Sequence, residues 1–192
     1  MHPNLLLYLT SKGSFSQDEL NQIDQVSTIK KLRKKQYLLQ EGDVWSNNAF
    51  VATGCVRTYR IDDTGSEHIL QFAIENYWTG DRESLMSGLP SRSNIDAIED
   101  SEIVLIGKEP FEKLCRTIEP LNAMVNVVLN RSFSASQNRV HAVISLSAEE
   151  RYLDFIRTNA NIANRVPQSM IASYLGISPE TLSRVRKEIS KK

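Results

Sequence analysis

The pattern of apolar and polar positions changes character twice along the chain. Near the N-terminus, Phe15-Ser16-Gln17-Asp18-Glu19-Leu20 predicts a helix start, with Ser16 as N-cap, Glu19 three residues on completing a capping box, and Phe15 and Leu20 spaced to staple the entry. After Lys35 the helical period gives way to short apolar runs separated by turn residues: Gln36 to Gln40, Ala49 to Thr53, Val56 to Ile61 and His68 to Ala73. Asp62-Asp63-Thr64-Gly65 reads as a hairpin turn, and Ile103 to Ile106 as a final buried strand. Such spacing predicts an antiparallel sandwich or barrel. From about Pro120 to Leu146 neither proline nor glycine interrupts the chain, which predicts a helix of about 40 Å at 1.5 Å per residue. Leu129, Phe133, Ser136, Val140 and Val143 fall on it at 4-3-4-3 spacing, the seam of two helices packed as a coiled coil; a helix lying on its own domain remains open. Ser147-Ala148-Glu149-Glu150 is a second capping box and opens a helix carrying Tyr152, Leu153, Phe155 and Ile156.

The last helical segment carries the most information. Pro167 suits a first helical position, Ile171 and Leu175 form an i, i+4 apolar pair, and Ala172 allows close approach of a second helix. Gly176 ends that helix, Ser178 caps another, and Pro179 takes its N1 position. The second helix buries Leu182, Val185 and Ile189 and leaves Glu180, Thr181, Ser183, Arg184 and Lys187 outside. Two short helices around a tight turn, the second polar and basic outside, predict a helix-turn-helix. An α-helix fits the major groove, so Ser178, Pro179, Glu180, Thr181, Ser183, Arg184 and Lys187 are the candidate DNA-binding residues. Arg184 has a donor fork suited to guanine, while Lys187, Lys191 and Lys192 suit phosphate.

Composition changes the picture little. Among 192 residues, 41% are apolar and 24% charged, the balance of a globular chain. The net charge of zero does not by itself favour a nucleic-acid partner. Charge is uneven, however: from Ser147 onward there are eight Lys or Arg against five Asp or Glu, leaving fifteen against eighteen before it. The run Lys30-Lys31-Leu32-Arg33-Lys34-Lys35 suits a solvated strand edge or a nucleic-acid or partner patch. Cys55 and Cys115 are too far apart in sequence to suggest a zinc or disulfide pattern and are expected to be small buried hydrophobes. The Leu5 to Leu9 run lacks the flanks of a leader and the length of a membrane span, so a cytoplasmic protein is expected. No nucleophile elbow, P-loop or H-E-x-x-H occurs, and no enzyme is expected.

The run Ala172-x-x-Leu175-Gly176-Ile177-Ser178-Pro179-Glu180-Thr181-Leu182-Ser183-Arg184 resembles the Crp/Fnr family of transcription regulators. Upstream, Leu39-Gln-Glu-Gly-Asp43, Phe50 to Arg57, Trp78-Thr-Gly-Asp81 and Ala97 to Ile106 resemble that family's cyclic-nucleotide-binding jelly roll. The resemblance implies an α+β fold. A β-roll sensor domain would span 1–119, a dimerisation helix 120–146 and a helix-turn-helix domain 147–192. It also implies double-stranded DNA, a second copy of the chain and RNA polymerase as partners, and a small-molecule effector; no membrane, metal or resident cofactor is expected. In the family's nucleotide binders a Gly-Glu pair holds the ribose and an Arg about ten residues later holds the cyclic phosphate. Here the pair is Gly80-Asp81, Ser91 stands at the Arg position, and Arg92 is one residue late. Ser136 and Gln137 match positions that reach the nucleotide base. Because charge-assisted guanidinium contacts are the strong ones, a remodelled or empty pocket is expected over cyclic-nucleotide binding. An iron-sulfur sensor would need four cysteine ligands, and a haem sensor an axial ligand that isolated His2, His68 and His141 do not suggest. The chain stops at Lys192, where the family continues into a β-hairpin wing, so a bare helix-turn-helix is expected. A sensor or protein-interaction adaptor with a degenerate helix-turn-helix is the competing expectation.

Overall fold

A computed structural model describes residues 1–191; Lys192, expected to contact phosphate, lies outside the described residues. They form two units, one of residues 1–58 with 72–130, the other of 59–71 with 131–191.

The strands form a β-roll, most of which belongs to the first unit while residues 59–71 belong to the second. Strands β1 (Ser27–Leu32), β8 (Ser101–Gly107), β3 (Asn47–Thr53) and β6 (Trp78–Thr79) form one sheet in that order; β2 (Tyr37–Leu39), β7 (Asn94–Ala97), β4 (Val56–Ile61) and β5 (Glu67–Ala73) form the other. Pairing within the first sheet is antiparallel, with Phe50 opposite both Val104 and Trp78. The period of two sorts each strand between two cores. Ala49, Val51 and Ile103 face the interior of the roll with Leu38, Leu39, Trp45, Val56, Ile95 and Ala97. Phe50, Ala52, Val104 and Ile106 face the opposite way, onto helices.

Those helices are α1 (Pro3–Lys12), α2 (Gln17–Gln25), α4 (Lys108–Thr117) and the start of α5 (Glu119–Ser145). The apolar run near the N-terminus is thus a core element: the His2 ring caps α1 by accepting the Asn4 N–H at 3.1 Å, and Leu5, Tyr8 and Leu9 lie buried at i, i+3, i+4. Tyr8, Phe50, Trp78 and Phe111 continue the contact as a chain of rings with centroids 5.0, 5.4 and 5.6 Å apart. In α2 the Ser16–Glu19 capping box forms as the spacing predicts. Cys55 is fully buried, Cys115 only partly, and burial raises the Cys115 thiol above its ordinary pKa.

The second unit holds most of α5, then α6 (Ala148–Thr158), α7 (Ala160–Ala163), α8 (Gln168–Leu175) and α9 (Pro179–Ile189). The Ser147–Glu150 capping box starts α6. Pro167 sits one residue earlier than expected, at the N-cap of α8, where its missing N–H costs no helical bond. Ile171, Ala172, Leu175, Leu182 and Val185 form the buried face of the pair with Phe155, while Ile189 is half-buried. No helix among the described residues is long and apolar enough to cross a membrane.

Candidate nucleic-acid interface and sensor site

The turn between α8 and α9 is determined locally. Gly176 adopts φ 67°, ψ 37°, a left-handed conformation that side chains with a Cβ rarely take. Its N–H reaches Ser173 O at 3.1 Å and the Ile177 N–H reaches Ala172 O at 3.0 Å, a Schellman closure that satisfies two of the helix's last four carbonyls. Arg151 donates to a third, Leu175 O, at 2.8 Å. The Ser178 hydroxyl then accepts the Thr181 N–H at 3.2 Å and caps α9, with Pro179 following at its first position.

This arrangement presents one polar face. Ser178, Pro179, Glu180, Ser183, Arg184 and Lys187 are exposed, and Thr181 is half-exposed. Lys191, expected to contact phosphate, is also exposed. Arg184 extends along the face and donates to Thr181 Oγ1 at 3.3 Å. The Glu180 carboxylate is held below its ordinary pKa first by its own backbone N–H, then by Ser178, with Arg184 adding a smaller attraction. At neutral pH the face therefore offers a fixed acceptor and a fixed cation one helical turn apart, on the positive end of a helix dipole.

The seam positions of α5 are open in the single chain. Phe133, Val140 and Val143 are 66%, 56% and 50% exposed, Ser136 is exposed, and Leu129 is half-buried. Gln137 is exposed beside Ser136. Leaving so many apolar side chains of one helix in water is unfavourable by the ordinary measure of buried area.

In the roll, the residues at the family's phosphate position are engaged with one another. Gly80 has φ +144°, and a Cβ there would come within 2.6 Å of Trp45 Nε1; the indole lies against its backbone. Asp81 is the N-cap of α3 (Arg82–Ser87), one carboxylate oxygen accepting from Glu83 N at 2.9 Å and Ser84 N at 3.2 Å. Its other oxygen accepts the Ser91 hydroxyl at 2.6 Å, and Ser91 is only 3% exposed. Arg92 points to the surface and donates to both Glu83 oxygens at 2.9 Å, which with Asp81 raises its pKa. A cyclic phosphate needs a cation facing it; here Ser91 supplies a hydroxyl already committed to Asp81, and the adjacent guanidinium is paired with a carboxylate. These residues do not fit the group.

Two further features were not evident from motifs. Arg57 and Asp96, buried on neighbouring strands β4 and β7, form a bidentate pair at 2.7 and 3.0 Å. Arg139, beside the seam of α5, is half-buried and its guanidinium is pulled below its ordinary pKa by that burial. The basic run falls on edge strand β1 and the turn after it, exposed except for Leu32, with Lys31 paired to Glu102 at 2.9 Å.

Residues 29–118 match the family model described as a cyclic nucleotide-binding domain. Over 187 residues the chain is 25% identical to the transcriptional activator protein Anr of Pseudomonas protegens, covering 90% of this chain and 75% of that one. It is 24% identical to an anaerobic regulatory protein of Pasteurella multocida, over 93% of this chain and 69% of the relative. Among solved structures, FixK2 of Bradyrhizobium japonicum superposes with a TM-score of 0.75 at 21% identity, over 86% of this chain and 85% of that one. The catabolite activator protein of Thermus thermophilus gives 0.59 at 19% identity, over 96% and 87%. These two carry the fold: a roll followed by helices.

Proposed function

We propose that this chain is a DNA-binding transcription regulator of the Crp/Fnr family and acts as a homodimer reading a two-fold symmetric site through α9. The exposed polar face of α9, capped by Ser178 and free of intramolecular cover, carries this reading. Glu180, Ser183 and Arg184 meet base edges; Ser178, Pro179, Thr181 and Lys187 sit against the phosphates at the helix N-terminus or the groove wall. The open apolar positions of α5 support a seam between two copies, and half-sites about one helical turn, roughly 34 Å, apart are expected of such a dimer. In functional terms residues 1–119 are the sensor, 120–146 the dimerisation helix and 147–192 the reading domain, in a cytoplasmic protein that also contacts RNA polymerase.

The effector is not a standard cyclic nucleotide. The Asp81–Ser91 bond and the Arg92–Glu83 pair support this, because a bound phosphate would have to displace a closed carboxylate–hydroxyl contact while Arg92 is already paired.

Capture of genomic fragments on the purified full-length protein tests the proposal. Enrichment of a short inverted repeat with half-sites about 10 base pairs apart is expected. Recovery of no enriched sequence overturns DNA reading in favour of an adaptor role, and enrichment of an unpaired half-site overturns the homodimer.

A further inference from the structure

Strand β5 is an edge of its sheet, so among the described residues one side of its backbone has no neighbouring strand. In the second unit two side chains from different helices cover that side. Ser173, on α8, accepts the Ile69 N–H at 3.0 Å and donates its hydroxyl to Glu67 O at 2.8 Å. Arg139, on α5, donates to Ile69 O at 2.7 Å and to Leu70 O. The same guanidinium donates to Tyr174 O at 3.0 Å and lies 4.2 Å from the centroid of the Tyr174 ring, which in turn packs on Phe155 with centroids 5.4 Å apart.

Tyr174 O is the remaining one of the four carbonyls left open at the end of α8. Ile177, Gly176 and Arg151 satisfy the other three, so Arg139 adds its guanidinium to the set of donors that closes the turn launching α9. Arginine suits this position because its planar fork addresses several carbonyls while its face stacks on an aromatic ring, which a lysine ammonium cannot do together. With all of these contacts made, Pro179, Glu180, Ser183 and Arg184 remain exposed. The arrangement therefore does not occlude the reading face; it removes freedom from the turn behind it.

We propose that Arg139 and Ser173 are positioning residues for DNA reading, tying the turn of the helix-turn-helix to the β4–β5 hairpin so that α9 meets the groove in one orientation. The proposal rests on the DNA-reading function above. Ordering the turn before binding lowers the entropy lost on binding and so raises affinity for the specific site, where orientation matters, more than for random DNA.

The test uses the full-length protein and a duplex that the wild type itself selects from a random pool, with binding followed by fluorescence anisotropy over a range of salt. Arg139→Gln is expected to weaken binding to the selected duplex about tenfold, the scale of a lost charge-assisted hydrogen bond, with binding to random duplex and the log–log salt slope unchanged. Arg139→Lys is expected to restore only part of the loss, and Ser173→Ala to weaken specific binding about threefold, the scale of one neutral hydrogen bond. Should Arg139→Gln fail to melt cooperatively, Ser173→Ala decides. Specific affinity within about twofold of wild type in a folded variant overturns the positioning role, and a salt slope reduced by about one makes Arg139 a phosphate contact instead. If the wild type selects no sequence at all, DNA reading itself fails, an outcome distinct from a wild type that selects and variants that bind equally well.

Discussion

The Arg57–Asp96 pair offers a sharp test of how the roll is held together. Both side chains are only 10% exposed and the pair is bidentate, so each charge depends on the other in place of water. Removing Asp96 takes away the carboxylate that pairs with the buried Arg57, a loss of about 3 to 5 kcal/mol for buried pairs. In a chain of this length each kcal/mol shifts the melting temperature by about 3 °C, so Asp96→Ala is expected to melt about 10 °C below wild type, and Asp96→Asn, which keeps an acceptor but not the charge, in between. Replacing both partners by apolar residues of similar volume, as in Arg57→Met with Asp96→Leu, removes the desolvation cost together with the attraction and is expected to restore most of the loss. The assay is thermal unfolding followed by circular dichroism on wild type, the Arg57→Met and Asp96→Leu single variants and their double, alongside Asp96→Ala and Asp96→Asn. A double variant whose shift equals the sum of the single shifts would refute the reasoning, since it would show that neither charge needs the other.

The remaining predictions concern the two sites and the hairpin. Arg184→Ala is expected to cost about 1 to 3 kcal/mol of specific DNA binding while leaving random DNA unaffected; titration of a selected and a scrambled duplex checks this, and equal losses would make Arg184 a phosphate contact. Gly80→Ala must hold a Cβ at φ +144° and 2.6 Å from the Trp45 indole, so a loss of about 2 kcal/mol or more is expected in urea unfolding, and a midpoint unchanged from wild type would count against that packing. At the hairpin tip the Asp62 carboxylate is held far below its ordinary value by His68 first, then by Thr64 and Ser66. A carboxylate lowered in the folded state contributes stability above its unfolded pKa and loses it as pH falls toward the folded one. The stability gap between wild type and Asp62→Asn should therefore narrow from pH 7 down to about pH 3; a gap independent of pH would sink the assignment.

What was legible along the chain is what neighbours in sequence decide. Ser16 with Glu19, Ser147 with Glu150, and Gly176 with Ser178 and Pro179 each announce a helix boundary through contacts no more than a few residues long, and each forms. The Asp62–Gly65 turn closes for the same reason, Gly65 N reaching Asp62 O at 2.9 Å. Less visible was α1, whose apolar face makes sense only against β3 and α5. Strand β1 was legible only as the solvated edge that its lysines suit, since four of its six residues are exposed and no alternation marks its bounds. Helix α4 begins at Gly107 with no side-chain cap to advertise it. The candidate sensor residues were found by position, but Asp81 meeting Ser91 joins residues ten apart across an irregular loop, and no periodicity reports that. Arg57 with Asp96, and Arg139 with Ile69 and Leu70, lie 39, 70 and 69 residues apart; pairs of that kind are set by topology, which single residues do not reveal.

The cover over β5 also bears on solubility. An exposed strand edge is a template on which another chain can add a strand, and the roll protects its edges in different ways: β1 carries lysines, whereas β5 has its Ile69 N–H and the carbonyls of Glu67, Ile69 and Leu70 taken up by Ser173 and Arg139. A chain that loses this cover, by substitution or while its C-terminal helices are still being synthesised, exposes a short row of unpaired backbone groups flanked by Ile69 and Leu70. Self-association through that edge is then a route to aggregation that competes with folding, and α5 and α8 guard β5 against it.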